Sequence, residues 1–172
     1  LDFCNENHAW GDFAIPCDDG NRRWVFHNRK TAVLLASKEI KLMGEKWYEH
    51  PDFVDYNFKK GVDRINGEVD KWMEMLGYKH DRERGVYDAI APTDQRIALF
   101  AHQGFGLAFL SSLLDIPYPQ ITTHFDMGHT GMTVIEFNAV DGVAIAKVLT
   151  LADDSHIYKE GLPTYYNNYV RF

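Results

Sequence analysis

The chemistry-bearing residue types in this chain concentrate around one histidine. Leu99-Phe100-Ala101-His102-Gln103-Gly104-Phe105 places His102 where a short apolar run, Ile97 to Ala101, gives way to two closely spaced glycines and a second apolar run, Leu107 to Leu114. The first run has the look of a strand buried on both faces, and the second of a helix that is apolar nearly all round. Gly104 and Gly106 permit a tight turn and close backbone approach between them. A strand that turns straight into a helix leaves free N–H groups and a positive dipole end at the junction, which suits an anion. His102 is therefore expected to meet a phosphate or a carboxylate. Its bland alternative is a satisfied core histidine.

A second constellation is His124, Asp126 and His129 in Thr123-His124-Phe125-Asp126-Met127-Gly128-His129. Imidazole and carboxylate suit zinc or iron, but this spacing matches no standard ligand pattern, so no metal is expected. His27, His50 and His80 stand in polar, loop-like surroundings and are expected at the surface.

The elements around these residues can be read from periodicity. Leu1 to Gly11 reads as the end of a short helix or a turn running into a loop. Cys17 to Asn21 is a turn cluster, followed at Arg23 to Phe26 by a short strand or an extended lid. Thr31 to Tyr48 is helical but broken, with Gly44 an interruption and Pro51 an end. Val62, Ile65, Val69, Trp72, Met73 and Leu76 recur at three- and four-residue spacing, which predicts a helix stopped at Gly77. A small hairpin is expected around Arg84-Gly85. Met132 to Phe137 and Val143 to Leu151 read as two strands joined through Asn138 to Gly142. The tail from Asp153 is polar and tyrosine-rich.

The 172 residues, 45% hydrophobic and 25% charged, suit one globular domain spanning 1–172 with a sizeable core. A formal net charge of −7 speaks against a nucleic-acid partner, whose footprint would be a basic stripe. Two cysteines, Cys4 and Cys17, are too few for a disulfide framework, so a reducing cytoplasmic setting is expected. No apolar run reaches membrane-spanning length, which excludes a membrane partner of that kind. Whether the chain is a monomer or a homo-oligomer is open.

Four stretches in order resemble the histidine phosphatase (phosphoglycerate mutase-like) superfamily. Ala101-His102-Gln103-Gly104 resembles its second-histidine motif, Gly131 to Phe137 the strand that follows, and Asp153-Asp154-Ser155-His156 its closing segment. Cys4-Asn5-Glu6-Asn7-His8 is similar to the stretch carrying the proton-donating glutamate. The resemblance implies an α/β fold, a mostly parallel sheet flanked by helices, with an aromatic-rich helical insertion over residues 20–93 capping the crevice. It implies a small phosphorylated substrate, a phosphohistidine intermediate, no metal and no other cofactor. His102 would stabilise the transferring phosphoryl group, and Glu6 would be the general acid. Gln103 would offer its backbone N–H to the phosphate. Arg22 and Arg23 would clamp the substrate through guanidinium forks. Asn7 departs from the family's arginine, and Asp2 is a rival carboxylate to Glu6.

One absence stands out. The family's nucleophile lies in an Arg-His-Gly motif, and those three residues nowhere run together here. The expectation is that this is the carboxyl-terminal portion of a longer phosphomonoesterase or mutase, inactive by itself, rather than a pseudo-enzyme. The rival functions are a non-catalytic phospholigand-binding module and, behind it, a metal-dependent hydrolase built on the His124 segment.

Overall fold

Asn5 starts the first helix, because its side-chain oxygen accepts the Asn7 N–H at 3.0 Å and so satisfies one of the donors a helix start leaves unpaired. A computed structural model describes residues 1–164; Tyr165, Tyr166 and Tyr169 of the tail lie outside them. The Leu1 to Gly11 stretch is thus a short 3-10 turn, Asp2–Cys4, running into α1, Glu6–Phe13, rather than the end of a helix trailing into a loop. Strands β1, Ala14–Pro16, and β2, Arg22–Trp24, then form an antiparallel hairpin across the predicted turn cluster.

The broken helix divides where a cap is available. Arg29–Leu35 (α2) ends before Ser37, whose hydroxyl accepts the Ile40 N–H and opens Lys38–Met43 (α3). A 3-10 stretch, Gly44–Glu49, follows. The long amphipathic helix α4 spans Phe58–Met75 and buries Ile65, Val69 and Met73, three of the positions its periodicity selects. Gly77 stops the chain behind it with φ +90, and a Cβ there would lie 2.0 Å from the Ala91 carbonyl oxygen, so only glycine fits. Strands β3, Tyr78–Asp81, and β4, Val86–Ala89, form the hairpin expected around Gly85.

Helix α5, Gln103–Leu114, is the centre of the molecule: nine of its residues are buried, and it packs against α1, α4 and α6, Tyr118–His124. Beyond it, β5, Met132–Phe137, pairs with β7, Ala146–Asp153, while β6, Val143–Ala144, leaves to pair with β4. Ser155–Lys159 forms α7. The fold is α/β, with seven α-helices and small antiparallel sheets among the described residues.

The mostly parallel sheet is not seen among the described residues. Every strand pair among the described residues is antiparallel. Ile97 to Ala101 leads into α5 but forms no ladder, and Ile97 is 50% and Phe100 91% exposed. An apolar run becomes a buried strand only if a neighbour takes up its N–H and C=O groups, and no described strand lies alongside this one. The aromatic residues of the 20–93 segment contribute to the core. Trp47, Phe53 and Phe58 are buried, and Trp47 stacks on Tyr118, which stacks on Phe13 at 4.4 Å.

The histidines read as surface residues are also covered. The His80 imidazole, 1% exposed, lies between Asp70 (2.9 Å) and Asp115 (2.8 Å) and stacks on Tyr87 at 4.0 Å. Arg82 donates to both of the same carboxylates, and to the Ser112 hydroxyl. Burial opposes the charged imidazole, but hydrogen bonds to Asp115 and Asp70 outweigh it and raise the His80 pKa. Arg82, a polar neighbour in sequence, joins Asp70 and Asp115 in a network that ties α4, β3 and the end of α5 together. His50 is buried beside Glu39, and His27 is half-buried. Cys4 and Cys17 are free thiols, and no described helix is long and apolar enough to cross a membrane.

Candidate functional site

The start of α5 gathers the residues singled out above. His102 is its N-cap, exposed, with extended backbone and a carbonyl that accepts the first helical bond from Gly106 N–H at 2.8 Å. Its exposure sets it apart from a core histidine. Glu6, at the first turn of α1, reaches across to this helix: Oε1 accepts the Gly104 N–H at 3.2 Å and Oε2 the Phe105 N–H at 2.9 Å. Ninety-eight positions separate Glu6 from Gly104 in sequence. The rival Asp2 is exposed and contacts His8 instead, at 3.3 Å.

Gly104 makes this approach possible. A Cβ at that position would lie 2.2 Å from Trp24 Cζ2 and 2.7 Å from Glu6 Oε1, so the indole and the carboxylate both press on the bare Cα. On the other side Gln103 donates through its side-chain amide to Asp126 at 2.6 Å. Asp126 also accepts from the Met127 N–H, and Met127 packs over Gly106. The Asp126 loop therefore closes the outer edge of the helix start. That explains Asp126 better than metal ligation: His124 and His129 are exposed, and among the described residues no three His, Cys, Asp or Glu side chains converge as a metal site.

Two clefts flank this point. One, of about 260 Å³, is lined by Trp10, Arg22, Arg23, Trp24 and His27. Arg22 donates to the Ala14 carbonyl at 2.6 Å and sits 6.0 Å from the centre of the Trp10 ring. Arg23 pairs with Asp19 and holds that carboxyl far below the usual range. Burial lowers the His27 pKa, against an opposing pull from the Asp126 carboxylate. The other cleft, of about 200 Å³, lies between the Asp126 loop and β7, lined by His129, Asp154 and Ile157 among others.

The sequence pointed to Glu6, His102, Gln103, Arg22 and Arg23. The structure brings Glu6 onto the helix that follows His102 and sets the arginines in a cleft whose Trp24 wall touches Gly104. It uses the Gln103 side chain to hold Asp126. Trp24, Asp126 and Tyr118 also belong to this region, without a sequence signal that places them there. Tyr118 is fully buried, and its hydroxyl has no hydrogen-bond partner among the described residues. Burial, reinforced by the Glu6 carboxylate, pushes its phenol well above the ordinary range. Only the apolar neighbours of Tyr118 are visible in sequence, and they signal a core position without its proximity to Glu6.

No family model matches the chain, and no curated protein or solved structure matches it either.

Proposed function

We propose that this chain supplies the second-histidine half of a phosphoryl-transfer site of the histidine phosphatase type. One observation carries the reading: Glu6 and the helix start behind His102, remote in sequence, meet through two hydrogen bonds. The two residues singled out by separate motifs thereby belong to one locality. A monoester at that point would need an imidazole to stabilise charge on the phosphoryl oxygens and a carboxyl group to handle a proton, the roles the reading gives to His102 and Glu6.

In the proposed reaction a nucleophilic histidine, supplied by polypeptide outside this sequence, attacks phosphorus and the ester oxygen leaves. His102 neutralises the developing charge, and Glu6 delivers the proton to the leaving oxygen. Water, deprotonated by Glu6, then breaks the phosphorus–nitrogen bond; if another hydroxyl takes its place the outcome is a mutase. The phosphohistidine does the covalent work, and no metal or cofactor takes part. The parallel pairing of this reading would engage Ile97 to Ala101. The substrate is a small phosphorylated molecule, and a cytoplasmic setting fits the two free thiols.

Hydrolysis of p-nitrophenyl phosphate tests the proposal. This chain alone should give no turnover, whereas a version extended upstream through the Arg-His-Gly motif should turn over and lose activity with His102→Ala. Equal turnover by the short and long chains, or an unaffected His102→Ala, would refute it. The competing reading, a non-catalytic phospholigand module, is favoured if the extended chain binds phosphate but never turns over.

A further inference from the structure

Five residues line the larger cleft, and they share one chemical character. Trp10 and Trp24 meet edge to face, with ring centroids 5.0 Å apart and planes at 88°. Trp24 is backed by Phe26, stacked on it at 5.8 Å, so its orientation is set by packing on both sides. Arg22, Arg23 and His27 complete the wall. Every lining side chain is an aromatic surface, a cation or an imidazole, and none is a carboxylate. Arg23 is paired with Asp19 and burial disfavours the charged His27, so the guanidinium that brings positive charge to the wall is Arg22, held by the Ala14 carbonyl.

Flat surfaces with guanidinium groups at their edge attract flat, electron-rich, anionic molecules. Ring faces gain from stacking against indole, and the guanidinium forks pair with acidic oxygens. A volume of about 260 Å³ is at the small end of ligand sites, enough for one ring system and not for a long chain. The Trp24 wall touches Gly104 and so adjoins the Glu6 carboxylate. The cleft and the start of α5 thus share the Trp24 indole as a common wall.

We propose that this cleft receives the flat ring of an anionic substrate, which under the phosphoryl-transfer reading makes the substrate an aryl or heterocyclic phosphomonoester. The ring lies against Trp10 and Trp24, with Arg22 at its acidic edge. The phosphate part of the assignment rests on the proposed function; the ring part stands on the cleft alone.

Calorimetric titration of this chain with phenyl phosphate, glycerol 2-phosphate and benzoate separates the two. Phenyl phosphate should bind roughly ten-fold tighter than glycerol 2-phosphate and shield tryptophan emission from acrylamide. Trp10→Leu should abolish that preference. If Trp10→Leu does not fold, acrylamide shielding in the unaltered chain decides the matter. Equal affinity for the two phosphates, or no shielding, overturns the ring assignment and leaves the phosphoryl reading standing. Benzoate binding as tightly as phenyl phosphate upholds the ring cleft and counts against the phosphate.

Discussion

Glu6 Oε2 accepts the Phe105 N–H at 2.9 Å, although 99 positions separate the two residues. This contact makes α1 and α5 a single unit at the end where His102 lies. It also assigns Glu6 a structural duty, satisfying two of the donors that open α5, whatever its part in proton transfer.

Glu6→Gln keeps the shape but can offer only one acceptor oxygen. The loss of one charge-assisted bond should cost about 1–2 kcal/mol in urea unfolding. A surface carboxylate without partners would change stability by less than about 0.5 kcal/mol.

Two glycines in helices should respond with opposite signs. Gly104→Ala drives a methyl into Trp24 and Glu6, and should destabilise by about 1–3 kcal/mol. Gly11→Ala, in α1 with nothing within 4 Å of the new Cβ, should stabilise by about 0.5–1 kcal/mol. Thermal unfolding of the two variants side by side checks both, and a harmless Gly104→Ala would contradict the crowding.

Tyr118→Phe removes a buried hydroxyl that has no hydrogen-bond partner among the described residues. Stability should stay level or rise by up to about 1 kcal/mol, since the cost of burying that group goes with it. A fall of the urea midpoint would show that the hydroxyl is bonded in solution.

The His80 network predicts a pH dependence whose sign follows from the shifts. His80 has a raised pKa, so its contribution is complete below the unfolded value of about 6.5 and is lost as pH rises through the folded one. Asp70 has a lowered pKa: burial alone would raise it, but hydrogen bonds from His80 and Arg82 prevail. Its contribution is present above about pH 4 and lost as pH falls through the folded value. Asp115→Asn should therefore cost about 2 kcal/mol at pH 6 and less at pH 9, by urea unfolding at each pH. A cost that does not vary with pH would remove the imidazolium from the network.

Periodicity read well where the signal is local. The α4 stripe from Val62 to Leu76, the Gly85 hairpin, the apolar run of α5 and β5 needed only spacing and turn residues. It failed where the outcome depends on distant partners. Ile97 to Ala101 has strand composition but no described neighbour to pair with, and His80 looks solvent-facing until Asp70 and Asp115 are folded around it. Cys4 to His8 pointed to Glu6 through its motif, yet only the folded chain reveals that its carboxylate caps α5. Asp126 was weighed as a metal ligand, and its bond to Gln103 had no sequence signal at all.

The most direct test of the central claim follows the histidine imidazoles by 1H–15N NMR while inorganic phosphate is added to this chain. His102 resonances should move saturably, with tighter binding in Glu6→Gln, which takes a competing negative charge away from the Gly104 and Phe105 N–H groups, while those of His80, enclosed by Asp70 and Asp115, stay in place. An unmoved His102 at the highest phosphate concentration in which the protein stays soluble would contradict an anion site at the start of α5.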